Sequence, residues 1–366
     1  MKILMIFTSK FHRTGITMVV MNYYRELIKK KNIYIDFLLP NNPEPDFKDE
    51  IIKNQSNIFV IDMSIRRTRP FKYIETLKNI LLKEKYDIVH IHGSSSIMSL
   101  ELIASKEANI KTRIVHSHNT KTEHPIINKV LYPYFKKNYT DAFACGREAG
   151  KWLFKESDYT IIPNAQNFEE YIFNSEKRAE YRKKFNLNNY IVIGHVGAFN
   201  YQKNQEFIIE IASKIKNKEK YKFVLIGDGP KFELLKEKIK KQKLDQLFIL
   251  VGKTNKVNEW LNAMDIMILP SKYEGFPNVL VEWQISGLKS IVSNKVSKEV
   301  KVTDLIEFLP LKSDVWAKAI ENISVEYNRN NLSYLNKLKE NGFDIKTSAD
   351  RLYNKYIELI NERENS

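Results

Sequence analysis

Cysteine is almost absent from this sequence of 366 residues, which contains only Cys145. A single thiol excludes an internal disulfide and a zinc site built from several thiolates, and it is typical of a reducing compartment. Long hydrophobic runs are also absent, because no apolar stretch approaches the ~20 residues that span a membrane. Residues 1–7 are too short a run for a signal-peptide core and predict a first strand. We therefore expect a cytoplasmic protein.

Glycine and proline are scarce, with 12 and 11 residues, while 43% of the chain is hydrophobic. This composition is typical of a globular protein and not of a disordered one. A chain of this length is too long for one ordinary hydrophobic core. The sequence therefore predicts two folded domains.

Acidic residues are outnumbered by basic ones, 44 to 59, which gives a formal net charge of +15. Residues 1–166 carry +9 and residues 167–366 carry +6, so the shorter N-terminal part is the more basic. Basic patches attract nucleic acid or anionic lipid, although a general bias toward lysine, asparagine and isoleucine would give the same balance. The sequence contains no helix-turn-helix, zinc-finger or aromatic RNA-binding pattern. We expect an anionic membrane surface as a partner and no nucleic acid.

Short β-rich runs alternate with longer amphipathic segments along the chain. The predicted strands are 3–7, 33–38, 58–61, 88–91, 113–115, 142–144, 160–162, 191–196, 223–226, 248–251, 266–269 and 290–292. Helix patterns cover 18–30, 73–83, 97–106, 148–154, 205–214, 232–241, 279–286 and 347–361. This alternation predicts parallel sheets covered on both faces, in two doubly wound α/β domains. A polar stretch over 164–189 interrupts the pattern and indicates a domain boundary near 165–185.

Polar residues concentrate at the carboxyl ends of the predicted strands, where ligands bind in open parallel sheets. His90 and His92 face the same side of one strand, and His92 reaches its end, where it can donate to a sugar hydroxyl or a phosphate. His116 and His118, followed by Asn119, repeat the pattern at the next strand. Core histidines would not be expected to concentrate there. A metal pair is conceivable, but no third ligand follows at a suitable spacing, so we predict no metal site.

Glycine-containing loops follow three other predicted strands. Gly15 lies after the first strand, where it would let the backbone approach a ligand closely. Gly197 ends another strand, and Lys203 follows at the junction of the loop and the next helix. From there its ammonium group can bind a diphosphate as a point charge. Gly227 and Gly229 form a turn that lacks the third glycine of a dinucleotide fingerprint, so this turn alone is not specific.

Two glutamates, Glu274 and Glu282, lie eight residues apart directly after the apolar run 265–270. The order predicts a buried strand, a short loop and a helix, with Pro277 in the first helical turn, where its missing N–H costs nothing. Free amides at the helix start would favour a phosphate. These amides belong to Asn278, Val279 and Leu280. Two carboxylates beside a phosphate site suit a nucleotide sugar, although an amphipathic helix with two solvated acids gives the same spacing.

An Asp-x-Asp pair is missing, so the chain lacks the usual device for holding a divalent metal on a nucleotide diphosphate. The diphosphate charge would instead be met by Lys203 and helix amides. No serine nucleophile elbow, Cys–His dyad or Walker loop is present. We expect neither a metal nor a cofactor, with the nucleotide sugar as a substrate.

Taken in order, these motifs resemble the retaining glycosyltransferases of family 4, which have the GT-B fold. The resemblance covers essentially the whole chain, and the two glutamates with their surroundings are its specific part. Its segments are Gly197…Gln202-Lys203-Asn204, Gly227-Asp228-Gly229-Pro230, Pro270-Ser271 with Glu274-Gly275-Phe276-Pro277 and Glu282, His90-x-His92, His116-Ser117-His118-Asn119-Thr120, and Phe343-Asp344-Ile345-Lys346-x-Ser348-Ala349. The last three segments are similar to the branch that makes bacterial capsule and exopolysaccharide.

The resemblance implies two Rossmann-like domains that face a central cleft. Residues 1–166 would bind the acceptor, and residues 167–345 would bind the nucleotide sugar. The C-terminal helix, 346–366, would cross back to pack on the N-terminal domain.

The resemblance also implies roles at the matching positions. Glu282 would hold the ribose hydroxyls, Glu274 the donor sugar and Lys203 the diphosphate, and His92 would lie across the cleft near the donor sugar. We predict catalytic roles for His92, Lys203 and Glu274. Further donor contacts would come from Gly15, Gly197, Gly227, Gly229, Gly275, Phe276, Pro277, Asn278, Val279 and Leu280, with His118 and Asn119 as sugar or acceptor contacts.

One position departs from the family pattern. Many relatives carry an arginine directly after the glycine equivalent to Gly197, whereas this chain has Ala198. Losing one cation beside the diphosphate weakens stabilisation of the leaving group by ~2–4 kcal/mol if nothing compensates. Either Arg13 or Lys253 substitutes for the missing arginine, or the enzyme is slow.

We therefore expect a metal-independent, retaining hexosyltransferase of bacterial surface polysaccharide synthesis. It would move a hexose or N-acetylhexosamine from a UDP-sugar to a lipid-linked or growing glycan, peripherally bound at the inner face of the cell membrane. A sugar-nucleotide epimerase of the same fold is one alternative. A non-catalytic partner subunit of another glycosyltransferase is a second, and Ala198 favours it.

Overall fold

The computed structural model describes residues 1–122, 124–326 and 328–364. Within them the chain divides into two units. The N-terminal unit contains Met1–Gln166 together with the chain from Gly342 onward, and the C-terminal unit contains Asn167–Asn341. The last two residues of the predicted segment 346–366 lie outside the described residues. Each unit is an α/β structure built on one parallel sheet, as the sequence predicts.

The strands of the N-terminal unit are β1 (Lys2–Phe7), β2 (Tyr34–Leu39), β3 (Ile58–Val60), β4 (Ile88–Gly93), β5 (Thr112–Ser117), β6 (Asp141–Ala144) and β7 (Thr160–Ile161). They form one sheet in the order β3-β2-β1-β4-β5-β6-β7 with parallel pairing. Phe7 on β1 pairs with His92 on β4, and His92 pairs with His116 on β5. The register therefore sets the two histidine-bearing strands side by side.

The helices of this unit are α1 (Gly15–Leu27), α2 (Pro45–Lys53), α3 (Met63–Thr68), α4 (Pro70–Glu84), α5 (Ser99–Glu107), α6 (Pro125–Asn138), α7 (Arg147–Phe154) and the C-terminal helix, α16 (Ile345–Glu364). Helices α1 and α16 share one hydrophobic core on one face of the sheet. Leu352, Tyr356 and Leu359 of α16 are buried in that core and form an apolar stripe along one side of the helix. Helices α4 to α7 contribute to the core on the opposite face. The C-terminal helix thus completes the N-terminal unit.

The C-terminal unit contains β8 (Ile191–Val196), β9 (Tyr221–Ile226), β10 (Phe248–Gly252), β11 (Ile266–Leu269), β12 (Lys289–Ser293) and β13 (Ile306–Leu309). Its sheet is parallel in the order β10-β9-β8-β11-β12-β13. The helices are α8 (Phe168–Tyr171), α9 (Ser175–Lys184), α10 (Gln205–Lys214), α11 (Phe232–Lys241), α12 (Val257–Ala263), α13 (Asn278–Ile285), α14 (Ser313–Asn322) and α15 (Leu332–Glu340). Strands β8 and β11 are adjacent at the centre, so the loops that follow them lie at one edge.

The polar stretch over 164–189, which interrupts the alternation in sequence, contains helix α9. Asn174 caps this helix by accepting the amide of Lys177 at 2.9 Å. Arg182 Nη1 lies 2.9 Å from Asp265 Oδ2, and Arg178 also contacts that carboxylate. The helix therefore attaches to the start of β11 through ion pairs, which is why its sequence shows no apolar stripe.

Within the described residues, no helix is long and apolar enough to cross a membrane. The longest helix, α16, has an apolar stripe on one side only, and that stripe is buried in the N-terminal unit.

Candidate active site

Two loops of the C-terminal unit carry the charged residues that the sequence predicts as a site. We call residues 197–204, after β8, and residues 270–277, after β11, the loop platform. Asn204 Nδ2 donates to the Pro270 carbonyl at 3.1 Å, and the Lys272 amide donates to the Gln202 carbonyl at 2.8 Å. These hydrogen bonds join the two loops into one surface at the carboxyl edge of the sheet.

An ion pair lies on the loop platform. Lys203 Nζ is 2.8 Å from Glu274 Oε1. Ser271 Oγ donates to the same oxygen at 2.8 Å, and Gln202 Nε2 donates to Oε2 at 3.1 Å. The side chains of Lys203 and Glu274 are 17% and 9% exposed, so water screens the pair only weakly. Three donors therefore hold the Glu274 carboxylate in one position, and two of them, Gln202 and Ser271, were not predicted as site residues.

Glu282 lies on α13 with a half-buried side chain. Within the described residues, no hydrogen bond or ion pair engages its carboxylate. Burial raises the pKa of Glu282 to about 7, while the positive charge of Lys203 lowers this pKa and the negative charge of Glu170 raises it. An unpartnered carboxyl group near Lys203 is thus available to accept hydrogen bonds from a ligand. Glu170 was not predicted as a site residue, because it lies on α8, outside the motifs recognised in the sequence.

The start of α13 differs in detail from the prediction. Pro277 is the residue that precedes the helix, and α13 begins at Asn278. The Leu280 amide donates to the Pro277 carbonyl at 3.0 Å, so the prediction of a free amide at Leu280 is wrong. Val279 lies in the first turn of the helix, where amides have no intrahelical acceptor. Gly275 and Phe276 lie in the preceding loop, next to Glu274.

The glycines of the C-terminal unit bring two loops into close backbone contact. Gly227 has φ +135°, and a Cβ added there would lie 2.1 Å from the Gly197 carbonyl oxygen. A Cβ at Gly229 would lie 2.6 Å from the Phe199 carbonyl oxygen. A Cβ at Gly197 would press on the Lys203 side chain at 3.2 Å. These glycines therefore allow the turn after β9 to pack against the loop that carries Lys203, a structural role that the sequence did not indicate.

His195 lies beneath the loop platform and was not predicted as a site residue. Its Nδ1 is 3.0 Å from the Ile268 carbonyl oxygen, and its Nε2 is 3.2 Å from Gln205 Nε2. Burial lowers the pKa of His195 to about 4, and the charge of Lys203 acts in the same direction. Gln205 also donates to the Ala198 carbonyl at 2.9 Å. A neutral His195 thus supports the loop from below.

The N-terminal unit contains the other predicted site residues. Gly15 is the first residue of α1, and Thr14 caps this helix by accepting the Thr17 amide. Asn119 is exposed after β5, and its Oδ1 accepts the Thr120 amide at 2.8 Å. Arg13 pairs with Glu44 and Asp46, so its charge is already engaged. Asn119 thus lies in the loop that follows β5, as predicted, whereas Gly15 opens α1 and is not a loop residue, because the helix begins three residues before the predicted start at 18.

The four histidines on β4, on β5 and directly after β5 are buried, which corrects the expectation that core histidines would not concentrate there. His90, His92, His116 and His118 are at most 8% exposed. His92 Nδ1 lies 3.0 Å from His118 Nε2, and His92 Nε2 is buried with no hydrogen-bond partner in the described part of the chain. In this conformation, neither nitrogen of His92 reaches solvent, so its contact with a sugar stays a prediction. We call these four residues the histidine cluster.

Two family models match the chain in sequence. The model described as "Glycosyltransferase Family 4" matches residues 13–172, and the model described as "Glycosyl transferases group 1" matches residues 190–324. Between them they cover most of both units.

Relatives and solved structures agree with these models. EpsF of Bacillus subtilis, named as a glycosyltransferase, is 28% identical in an alignment 365 positions long that covers 95% of this chain and 94% of that protein. The UDP-Gal:alpha-D-GlcNAc-diphosphoundecaprenol alpha-1,3-galactosyltransferase of Escherichia coli is 26% identical and covers 92% of each chain. Anabaena HepE, solved in complex with UDP, superposes with a TM-score of 0.81 at 15% identity, over 98% of this chain and 100% of that chain. Because the two models match in order and together cover most of the chain, the chain carries a glycosyltransferase family 4 domain followed by a glycosyl transferases group 1 domain, and it has the GT-B fold.

Proposed function

We propose that this glycosyltransferase moves a hexose or N-acetylhexosamine from a UDP-sugar to a lipid-linked or growing glycan during bacterial surface polysaccharide synthesis. The observation that carries the proposal is the Lys203–Glu274 ion pair on the loop platform, near the start of α13 and the unpartnered Glu282. This arrangement offers a cation for a diphosphate and two carboxylates for hydroxyl groups. The relative from Escherichia coli, named for UDP-Gal and a diphosphoundecaprenol acceptor, supports the choice of donor and acceptor class.

Lys203 would exchange one anionic partner for another when the donor binds. Its Nζ contacts Glu274 at 2.8 Å in the protein alone, and a diphosphate oxygen would compete for the same ammonium group. Glu274 would keep its hydrogen bonds from Ser271 and Gln202, which hold the carboxylate where it can accept from a sugar hydroxyl. The ion pair thus keeps both groups in place before the donor arrives.

Glu282 would accept hydrogen bonds from the two ribose hydroxyls. The carboxylate form is needed for this task, because an ionised carboxyl group offers acceptors only. Its pKa of about 7 means that both forms are populated near neutral pH in the protein alone. Donor hydroxyls would favour the ionised form and would therefore lower this pKa on binding.

The transfer itself would proceed by front-face displacement with retention. The bond between the anomeric carbon and the diphosphate oxygen breaks while a bond to the acceptor oxygen forms on the same face. The hydroxyl proton of the acceptor passes to the departing diphosphate oxygen, and UDP leaves. Positioning and charge stabilisation by Lys203 and the α13 amides would supply the catalysis without a metal or cofactor.

The N-terminal unit would bring the enzyme to an anionic membrane surface through α6. Four large apolar side chains on this helix, Ile126, Ile127, Val130 and Tyr134, are between 49% and 78% exposed. They lie on one face, away from the buried Phe135, and exposed Lys129, Lys136 and Lys137 are on the same helix. An apolar face flanked by lysines is typical of helices that lie in a membrane interface.

Vesicle sedimentation tests the membrane proposal. The full chain should pellet with vesicles that contain anionic phosphatidylglycerol and much less with neutral phosphatidylcholine. The double change Ile126→Ser and Val130→Ser should abolish pelleting, whereas Leu234→Ser, which removes an exposed leucine from α11, should not. Equal binding to both vesicle types would reject an electrostatic contribution to membrane binding. Normal binding of the double variant would reject α6 as the membrane-binding helix.

A donor panel tests the transfer. The full chain is incubated with each UDP-sugar, with and without a lipid-diphosphate-linked saccharide, and UDP release is measured. UDP that appears only with the acceptor supports transfer. Release without acceptor supports hydrolysis or the epimerase alternative, and an epimerised sugar would identify the latter. No release across the panel would favour a non-catalytic subunit, the second candidate, which rests on Ala198.

A further inference from the structure

Among the residues that the structure describes, four buried ring nitrogens of the histidine cluster have no hydrogen-bond partner. They are His90 Nε2, His92 Nε2, His116 Nδ1 and His116 Nε2. A buried polar atom without a partner destabilises the folded state, so four of them in one place are a substantial cost. In native proteins, a buried polar atom without a protein partner usually binds an ion or a water molecule, or takes part in catalysis.

The unpartnered nitrogens belong to neighbouring rings on two adjacent strands. The ring centroids of His90 and His92 are 4.2 Å apart, and those of His90 and His116 are 5.4 Å apart. One ring nitrogen from each of these three residues lies within 4.8 Å of the other two. The third histidine comes from β5, so the structure brings a third ring nitrogen beside the pair for which the sequence offers no third ligand at a suitable spacing. The sequence prediction considered spacing along the chain and not the register between strands.

His90 and His92 each have a hydrogen-bond partner on their other ring nitrogen. His90 Nδ1 lies 2.7 Å from the Tyr356 hydroxyl, and His92 Nδ1 lies 3.0 Å from His118 Nε2. Such contacts on the second nitrogen fix the tautomer and the orientation of a ligating imidazole. Burial lowers the pKa of all four histidines, that of His118 to about 3. Neutral imidazole is the form that binds a metal.

We propose that His90, His92 and His116 bind one divalent transition-metal ion, with Zn²⁺ as the favoured ion. Imidazole nitrogen suits Zn²⁺, Co²⁺, Ni²⁺ and copper, whereas Mg²⁺ and Ca²⁺ need oxygen ligands that the cluster does not supply. Zinc–nitrogen distances of ~2.0–2.1 Å in a tetrahedral site place ligand nitrogens roughly 3.3 Å apart. The rings would therefore move together by about an ångström on binding.

The ion would act as a structural link within the N-terminal unit. Its ligands join β4 to β5, and Tyr356 extends the link to α16 through His90. The site goes beyond the proposed sugar transfer and does not depend on it, because the Lys203–Glu274 pair belongs to the C-terminal unit. Binding to the folded state alone would raise the melting temperature as the metal concentration increases.

Metal titration of the full chain tests the proposal. The protein is stripped with a chelator and dialysed, and Zn²⁺ or Co²⁺ is added while bound metal, Co²⁺ absorption and melting temperature are recorded. We expect one ion per chain and a rise in melting temperature. His116→Phe should abolish binding, and Tyr356→Phe should weaken it by about 10- to 100-fold, as loss of a hydrogen bond to a ligand usually does.

The exposed histidines provide the matched control. The double change His12→Ala and His124→Ala removes two surface histidines and should leave binding unchanged. The proposal is overturned if no ion binds, if binding survives His116→Phe, or if binding disappears in this double variant. His116→Gln repeats the measurement with a polar side chain, should His116→Phe fail to fold by circular dichroism. UDP binding by the full-length variant serves as the readout that the protein is otherwise intact.

Discussion

The two parallel sheets of this protein carry opposite chemistry at their carboxyl edges. In the C-terminal unit, Lys203 and Glu274 are charged, paired and further fixed by Ser271 and Gln202. In the N-terminal unit, the corresponding edge carries neutral, buried imidazoles, among them His116, whose two ring nitrogens are both unpartnered. The same α/β architecture thus supports two different kinds of polar site. Fold alone does not decide the chemistry, and the residues at each edge must be considered separately.

The two edges also differ in how clearly the sequence indicates them. Charged residues in glycine-containing loops stand out because loops are exposed and their composition is unusual. Histidines in or directly after strands are noticeable because four of them lie close together in the sequence. Their burial is not visible there, because it depends on the helices that cover the sheet. An anionic ligand should therefore respond to changes in the C-terminal unit, and a metal ion to changes in the N-terminal unit.

The largest expected effect comes from removing the cation of the C-terminal edge. Lys203→Met keeps most of the length of the side chain and removes its charge, so donor turnover should fall about 10²- to 10³-fold, as for loss of one preorganised donor to a leaving group. Steady-state UDP release measures this fall. Lys238→Met removes a lysine that pairs with Glu206 in the same unit and should leave turnover unchanged. A normal rate for the Lys203 variant would reject the diphosphate assignment.

The next effect tests the glycine packing that supports the same edge. Gly227→Ala places a Cβ 2.1 Å from the Gly197 carbonyl at a φ of +135°, so we expect about 3 kcal/mol loss in the free energy of unfolding. Gly252→Ala is the matched control, because its φ is +76° but nothing lies within 4 Å of the added atom. It should cost only about 1 kcal/mol. Urea titration of both variants measures the difference, and equal losses would mean that the loop contact is unimportant.

Glu282 should make stability depend on pH in the opposite direction from ordinary carboxylates. Its pKa rises from 4.5 to about 7 on folding, so the stabilisation by its protonated form is complete below about pH 4.5 and is lost as pH rises through 7. Glu282→Gln should abolish this decrease in stability at high pH, because glutamine does not ionise, and should therefore raise the free energy of unfolding at pH 8. The shift corresponds to roughly 3 kcal/mol at most, and partial exposure reduces the expected gain to about 2 kcal/mol.

Unfolding by urea at several pH values checks this prediction, with Glu206→Gln as the control of opposite sign. The hydrogen bonds from Lys231 and Lys238 lower the pKa of Glu206, so its contribution is present at neutral pH and is lost as pH falls. The two variants should therefore shift the pH profile in opposite directions. A flat difference between wild type and Glu282→Gln would show that Glu282 is solvated in solution.

Much of the sheet architecture was predictable because buried strands form short apolar runs that stand out from their surroundings. The run 266–269 matches β11 and 191–196 matches β8 at both ends. Helix α9 was missed because it attaches through Arg182 to Asp265, and ion pairs leave no periodic apolar signal. The predicted elements also lacked strand β13 and helices α2, α3, α6, α8, α12, α14 and α15.

The site was predictable in residue type but not in geometry. Glu274 and Lys203 were recognised, yet their 2.8 Å contact depends on the hydrogen bonds between two loops that are far apart in sequence. The histidine cluster shows the same limit, since His116 joins His92 only through strand register. Long-range register and loop conformation are set by the packing of the whole unit, which local patterns do not encode.

The smallest expected effect concerns Ala198, where the family pattern has arginine. Ala198 is exposed and directly follows Gly197, so an arginine fits there without displacing the core. Ala198→Arg should add a second cation near Lys203 and raise donor turnover by up to about tenfold, which is about 1.4 kcal/mol. Ala198→Gln, which is polar but neutral, should not. A gain in the arginine variant alone would mean that Lys203 works without a compensating cation in this chain. Unchanged turnover would instead indicate that another basic residue, such as Lys253, already supplies the second cation. Lys253→Met in the same assay tests this explanation, because turnover should fall only if Lys253 supplies that cation.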